Sequence, residues 1–347
     1  MPLFTYTSKL VNLLAQTQGQ NEQLKAEAEI PSLALRLIQE NQMLATHYST
    51  SIEGNPLSQR EVTNILLDDK VPTTKSEKEV KNYFEVLNRI SVLAREGRPI
   101  DIELTLNLHR DLMKDLDSKD IGQFRDGDVV VGHREKTGEI VIKHNPPAHK
   151  AEQIEQMLTK LYADVESDKE NHPLIKAGLL HHGFAYIHPF FDGNGRMARI
   201  LTAYYLLLNG YEVTKYFVLD DYYDIDRTQY SDMLHLADTG DKTKWLEYFL
   251  EGINYSLESA LKRVGNMKKD KIDSLTGEKR VLVSRREEEV LQLILEKNFV
   301  KTSDIATAFG VSRQQAQSLL YSLVKKEIII KEGKTKSSYY RINKNSS

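Results

Sequence analysis

Residues 188–208, HPFFDGNGRMARILTAYYLLL, set two glycines around an asparagine and run at once into an apolar stretch at helical spacing. Glycine lets a backbone take positive φ or approach a ligand closely. Gly193 and Gly195 therefore predict a tight turn that opens a helix. A helix entered through such a turn presents unpaired N–H groups and the positive end of its dipole, which together make an anion site. Arg196 and Arg199, three apart, share a face of the first turn. Two guanidinium forks beside a backbone cradle suit a polyphosphate better than a lone carboxylate. A polyphosphate brings a divalent cation, and Asp192, just before the cradle, is the natural ligand. One carboxylate with phosphate oxygens and water is ordinary magnesium coordination. His188, four residues upstream, can be neutral near pH 7 and take up a proton. Base, metal ligand and phosphate clamp are the parts of a phosphoryl- or nucleotidyl-transferase.

The rest of the chain reads mostly as amphipathic helix. LALRLIQENQMLATHYS, from Leu33, has helical spacing, and further helices are expected over 76–95, 101–116, 148–166, 174–187, 195–208, 226–238 and 242–263. Ser58 and Glu61 form a capping box with Leu57 and Val62 as its staple, so a helix starts near Ser58 and Gly54 stops the one before it. Residues 126–147 differ: two β-rich runs, Asp128–Gly132 and Glu139–Lys143, flank a Gly-containing turn and predict a hairpin. Residues 265–280 are polar and read as a linker or an exposed helix end. Beyond them Ser284 and Glu287 cap one helix, Gly310 turns the chain, Ser312 and Gln315 cap another, and EIIIKEGKTKSSYYRI reads as a hairpin. That order is a winged helix-turn-helix.

The 347 residues allow two or three domains. There is no cysteine, which excludes a disulfide scaffold, a zinc–thiolate centre and thiol catalysis and fits a reducing cytoplasm. No run approaches the roughly 20 apolar residues of a membrane span, and the first residues do not read as a signal peptide. Net charge is only −3, but it is uneven. From Arg280 onward 13 basic residues face 7 acidic ones, while the remainder holds 34 against 43. An acidic body and a basic tail predict different partners for the two.

The stretch HPFFDGNGRMAR resembles the signature of the Fic family, His-Pro-Phe-x-Asp/Glu-Gly-Asn-Gly-Arg-x-x-Arg, with each specified position filled. Gly122-Gln123-Phe124-Arg125 is similar to the family's Gly-x-Phe/Tyr-Arg segment, VVVG…NPP to its hairpin flap, and Tyr230 with Trp245–Phe249 to its C-terminal part. The resemblance covers roughly residues 33–260. It implies a mainly α fold: a Fic-type helical core with a small β-hairpin flap, joined here to a C-terminal winged helix-turn-helix domain. The implied segments are 1–95 (N-terminal helices with an inhibitory helix), 96–264 (catalytic core), 265–280 (linker) and 281–347 (winged helix).

Most Fic proteins transfer AMP from ATP to a protein hydroxyl, so the resemblance implies a protein adenylyltransferase acting on Ser, Thr or Tyr of other proteins and of itself. On this chain His188 would be the general base and Asp192 would hold Mg²⁺ between the α- and β-phosphates. Gly193, Asn194 and Gly195 would cradle the phosphates, and Arg196 and Arg199 would bind those that leave as pyrophosphate. Tyr230 would belong to the nucleotide site, Phe190 would anchor the loop, and the flap would align a target by strand addition. The two glycines, where a phosphate-transferring branch has Ala-Asn-Lys, favour AMP transfer; UMP or phosphocholine transfer and removal of AMP stay open.

Ser49-Thr50-Ser51-Ile52-Glu53-Gly54 resembles the family's inhibitory motif, Ser/Thr-x-x-x-Glu-Gly/Asn. It implies that Glu53 pairs with Arg199 through a two-pronged contact where the γ-phosphate belongs, with Ser49 part of the same brake. In the tail, Arg313, Gln314, Gln315 and Gln317 would read bases, and Lys331, Lys334 and Lys336 would meet phosphates of DNA; protein interaction or dimerisation is the other use of such a module. A homodimer fits the resemblance, though no feature requires it. Two other readings compete. One is a nucleotide-sensing, DNA-binding regulator without transfer activity. The other is a metal hydrolase using His181, His182 and His188, which suffers because adjacent helical residues point about 100° apart.

Overall fold

Helical periodicity becomes helix along most of the chain. The computed structural model describes residues 3–27, 31–67, 71–134, 140–212, 217–274, 285–326, 328–333 and 338–343. The chain divides into two units, Met1–Glu27 with Leu37–Val264, and Ala28–Arg36 with Gly265–Ser347. The N-terminal helices, the second of them from Leu37 on, thus belong to the same unit as the glycine-rich loop. In order they are α1 (Ser8–Glu27), α2 (Pro31–Ile52), α3 (Gln59–Leu67), α4 (Lys75–Arg95) and α5 (Ile102–Leu112). Then come the hairpin strands β1 (Val131–Arg134) and β2 (Ile140–His144). The unit continues with α6 (Ala151–Ser167), α7 (Pro173–Ile187), α8 (Asn194–Leu208), α9 (Asp220–Ile225), α10 (Arg227–Leu236) and, as far as Val264, α11 (Thr243–Ser274).

The predicted stops and starts have direct causes. Gly54 sits at φ +88, and two bonds, Gly54 N–H to Ser51 O and Asn55 N–H to Thr50 O, close α2 in a Schellman motif that leaves Glu53 as the cap residue. The Ser58–Glu61 box forms. α5 ends four residues before the expected 116, where Met113 leaves helical geometry and Asp115 takes φ +57. α10 stops at Leu236 and passes into a 3₁₀ turn, Ala237–Thr239. The hairpin lies later than its β-rich runs suggest, with β1 starting at Val131 and a bulge between Val131 and Gly132; Glu139 lies outside the described residues. The expected linker is helical as far as Ser274, because α11 simply continues; 275–284, including the cap residue Ser284, lie outside the described residues.

α8 is the centre of this unit. Every residue from Arg196 to Leu206 is buried, the pattern of a helix covered on all sides. It packs on α7, α4 and α5. α7 in turn lies close to α11: a Cβ on Gly178 would strike Leu246 and Phe249, and Trp245 Nε1 donates to Gly178 O at 2.8 Å. α1 and α9 are elements the sequence reading missed. α1 buries Thr17 and Asn21 beside Leu10 and Leu24, so its inner face is half polar, and Thr17 accepts a hydrogen bond from Asn254 of α11. α9 is only six residues long.

The second unit carries α12 (Arg285–Lys297), α13 (Thr302–Phe309), α14 (Arg313–Lys325), β3 (Ile329–Glu332) and β4 (Tyr339–Ile342). Gly310 at φ +60 turns α13 into α14, and the Ser312–Gln315 capping box forms. Ile329 pairs with Ile342 in an antiparallel hairpin, and Val300 exchanges two backbone hydrogen bonds with Tyr340 on its other side. Val290, Leu291, Ile294, Ile305, Leu320 and Leu323 are among its core.

Candidate active site

The loop 188–193 joins α7 to α8, and its shape is enforced from inside. Asn194 Oδ1 accepts from Phe190 N–H at 2.9 Å while its Nδ2 donates to Phe190 O at 2.8 Å. The Asn194 amide is therefore a strap across the loop; both its polar atoms are used within the protein. Phe190 is 1% exposed and stacks on His109 with ring centroids 3.6 Å apart. His109 Nδ1 accepts from Gly122 N–H and Nε2 donates to Asp192 O. The ring is neutral, since burial pushes its pKa down to about 4. Arg125, fully buried, donates to His188 O at 2.7 Å, to Gly127 O at 2.6 Å and to Ile187 O, while its own N–H reaches Pro189 O. The Gly122–Arg125 segment thus holds the loop from behind. His109 went unnoticed in the sequence, where a lone histidine in a helical pattern gives no signal.

His188 ends α7 in left-handed conformation at φ +50. Burial first, then His144 and Arg125, pushes its imidazole down to about 4, so it is a neutral base at physiological pH. Asp192 lies beyond it, 45% exposed in its side chain. Its Oδ1 accepts from Gly193 N–H and, at 3.3 Å, from Arg196 Nη2. Oδ2 remains available to a cation, which fits a single-carboxylate magnesium ligand.

The arginines are buried and only partly paired. Arg196 approaches Glu79 at 3.8 Å, and its Nε and Nη1 have no hydrogen-bond partner. Arg199 donates from Nε to Ser49 Oγ at 2.8 Å and from Nη2 to Ser49 O and Glu53 Oε1, and its Nη1 has no partner. That Nη1 lies 3.2 Å from where a Cβ on Gly195 would stand. Asp220 flanks Arg199 at 3.6 Å, an acid the sequence did not reveal. Burial opposes the Arg199 charge, but Glu53 and Asp220 outweigh it and hold the pKa above the ordinary arginine range. Burial also lifts Asp220 to about 6. Orphaned buried donors cost about 1–3 kcal/mol each. An anion at this helix N-terminus would satisfy all three, Arg196 Nε and Nη1 and Arg199 Nη1.

The Glu53 carboxylate occupies the space that a Cβ on Gly195 would need. The pair is one hydrogen bond, Nη2 to Oε1, rather than the two-pronged contact expected; the guanidinium's other bonded nitrogen, Nε, goes to Ser49. Arg227 on α10 donates to Ser51 Oγ at 2.7 Å, fastening the end of α2.

Two residues singled out in the sequence, Tyr230 and His181, meet in the core. Tyr230 lies in the aromatic core, stacked on Tyr223, with its hydroxyl donating to His181 Nε2 at 2.7 Å. The same hydroxyl lies within hydrogen-bonding reach of the Arg199 guanidinium, so it stands beside that arginine while the ring belongs to the core. His181 Nδ1 donates to Thr202, which donates to Ala198 O, so this histidine is fully used inside the core. His182 bonds Asp238 instead. The two rings serve separate networks, which removes the hydrolase reading with His188.

Residues 99–206 match the model of the Fic/DOC family, and residues 286–343 match that of FaeA-like proteins. Proteins named protein adenylyltransferase fic-1 in Caenorhabditis briggsae and Caenorhabditis elegans are 28% and 27% identical over 253 and 241 residues, covering 70% and 67% of this chain. The chain spans less than half of their length, 45% and 43%. A Fic family protein of known structure from Desulfovibrio desulfuricans G20 is 23% identical with a TM-score of 0.67, covering 100% of this chain and 99% of that one. A Fic-domain signalling protein from Bacteroides thetaiotaomicron VPI-5482 gives 24% and 0.59 over 75% of this chain and 97% of its own.

Proposed function

With a Fic/DOC domain at residues 99–206 as premise, we propose that this chain is a protein adenylyltransferase that moves AMP from ATP to a Ser, Thr or Tyr hydroxyl and is held in check by Glu53. The observation that carries the reading is the unpartnered Nη1 of Arg199 beside Gly195, with Glu53 in the same space. A phosphate group can replace a carboxylate there with little rearrangement.

In this reading Arg199 binds the terminal phosphate once Glu53 leaves, and Arg196 offers its two orphaned donors to the neighbouring oxygens. The backbone at Gly193 and Gly195 approaches the phosphates without a side chain in the way, while Asn194 keeps the loop in shape. Asp192 would hold a magnesium ion, which neutralises phosphate charge when bound. His188, neutral, takes the proton of the incoming hydroxyl as its oxygen attacks the α-phosphorus, and pyrophosphate leaves on the arginine side. Exposed Val141 and Ile142 lie on the hairpin, whose free edge suits strand addition by an extended target peptide. Tyr230 braces both His181 and Arg199 in this scheme.

The test is label position. Incubating the Glu53→Gly chain with ATP labelled at the α- or the γ-phosphate, alone and with cell lysate, should mark protein from the α-label only. Marking by the γ-label would make it a phosphotransferase, and no marking by either would leave a nucleotide sensor. A reducing cytoplasm suits such an enzyme, and no helix among the described residues is long and apolar enough to cross a membrane.

A second activity, duplex DNA binding, is proposed for residues 285–343 as a winged helix. It is supported by Arg313, Gln314 and Gln317, all exposed on the first turns of α14, and by exposed Lys331 on the hairpin. Lys334 and Lys336 lie outside the described residues.

A further inference from the structure

His144, the last residue of β2, faces α10 and the 3₁₀ turn that follows it. Its Nε2 lies 2.8 Å from the carbonyl oxygen of Tyr186 and must donate to it. A neutral imidazole has one N–H, so Nδ1 then carries a lone pair. That lone pair lies 2.8 Å from Asp238 Oδ2. His235 Nδ1 lies 3.2 Å from the same oxygen. The three donor atoms all stand within 4.8 Å of one another. On His235 an ordinary Nδ1–H tautomer satisfies the contact, but the His144 lone pair needs a cation between it and the carboxylate: a proton, which Asp238 favours, or one metal ion shared by all three groups.

We propose that His144, His235 and Asp238 form a binding site for one divalent first-row transition cation of the zinc type, separate from the loop at Asp192. Two imidazole nitrogens and a carboxylate oxygen are the ligand set such ions prefer, with a position left for water. Magnesium and calcium want more oxygens than the three groups supply. The surroundings have the outer-shell form of a metal centre. The Tyr186 carbonyl fixes the His144 tautomer, and His182 Nε2 donates to the other Asp238 oxygen at 2.9 Å, which turns Oδ2 toward the two rings. His144 and Asp238 have side chains only 4% and 17% exposed, whereas a zinc ion adsorbed on surface histidines would find mobile ligands. Lys242 and Arg125 are opposing charges in the neighbourhood; the Lys242 ammonium is turned to the Ala237 carbonyl, and the Arg125 guanidinium is spent on the carbonyls of Ile187, His188 and Gly127.

The ion would join two elements that the hydrogen-bond pattern already brings together. Lys143 of β2 reaches Asp232 of α10 at 2.6 Å, one residue away from His144. A metal shared by His144, His235 and Asp238 would add a second, stronger clip, fixing the hairpin against α10. The inference does not rest on the AMP-transfer reading, although His144 is close enough to His188 to act on its charge.

The experiment uses the full chain, free of affinity tag and stripped with a chelator, and titrates it with Zn²⁺ by calorimetry and with Co²⁺ by visible absorption. One ion per chain and the intense bands of four-coordinate cobalt are expected. Asp238→Asn and His235→Ala should each weaken Zn²⁺ binding on the order of 100-fold or more, and His182→Gln, acting through the outer shell, by roughly 10- to 100-fold. Circular dichroism of the metal-free variants checks that they fold. Zn²⁺ binding that is absent, or unchanged in both Asp238→Asn and His235→Ala, overturns the proposal. If no metal binds and His144 titrates by NMR as an imidazolium, the cluster is a proton clamp, which equally overturns it.

Discussion

Glu53 Oε1 stands 2.8 Å from Arg199 Nη2, and it does so in the volume that Gly195 leaves by lacking a Cβ. In the proposed function the carboxylate and a terminal phosphate would compete for one charge and one space. Glu53 is a third exposed while Arg199 is fully buried, so the contact is breakable from the Glu53 side. Glu53→Gly is expected to raise AMP incorporation by roughly tenfold to a hundredfold, since phosphate misplacement of about 1 Å costs that much. Incorporation of α-labelled ATP into the chain itself measures it. A variant no faster than the parent removes the brake from the proposal.

Gly195→Ala separates the cradle from the brake. In the Glu53→Gly background the added methyl would project toward Arg199 Nη1, 3.2 Å away. ATP affinity should then fall at least tenfold, or about 1.4 kcal/mol, by calorimetry. Unchanged affinity would mean that phosphates do not use this space.

The loop, its flanking helices and the helices and hairpin of the second unit were legible because each rests on short-range rules. Gly193 and Gly310 mark turns, and Ser58 and Ser312 are partners in capping boxes, within three or four residues of sequence. What was not legible depends on distant contacts. Asp220 reaches Arg199, and His109 reaches both Gly122 and Asp192, only after folding. The same holds for Tyr230: its place in the sequence resemblance suggested the nucleotide, and burial gave its hydroxyl to His181. α1 hid because its inner face uses Thr17 and Asn21 where a stripe of leucines would have shown.

Asn194→Ala tests the strap. It leaves the Phe190 N–H and C=O without their partners in a buried place, at about 1–3 kcal/mol each. Unfolding midpoints in urea should drop by an amount equivalent to about 2–4 kcal/mol. A loss under about 0.5 kcal/mol, the range of ordinary surface changes, would show that the loop holds its shape by other means.

His188 titration has a definite sign. Its folded pKa, about 4, is below the ordinary value of 6.5, so the folded protein binds this proton less readily than the unfolded chain. Its contribution to stability is full above about pH 6.5 and declines as pH falls toward 4. Asp220 and Asp221, lifted to about 6, work in the opposite direction between 6 and their usual 3.8. In the proposed mechanism His188 acts as the neutral imidazole, so the base should remain competent down to about pH 5. NMR titration of the nucleotide-free protein should place the His188 midpoint near 4; a midpoint near 6.5 contradicts the buried, charge-repelled setting. His188→Ala should keep ATP binding and lose about a hundredfold or more of transfer.

The exposed face of α14 makes the last prediction. Arg313, Gln314 and Gln317 are free to approach a base edge, whereas Gln315 spends its side-chain oxygen on the Ser312 N–H. The full chain should bind a duplex in low salt and lose affinity linearly in log salt as counterions are released. Lys331→Ala should flatten that slope with little change in sequence preference, and Arg313→Ala should alter the preference. Gln315→Ala should act on folding instead, costing roughly 0.5–2 kcal/mol through the lost cap. If no duplex binds even at low salt, the basic tail serves a protein partner. If Gln315→Ala changes base preference with no effect on stability, its side chain leaves the cap when DNA arrives.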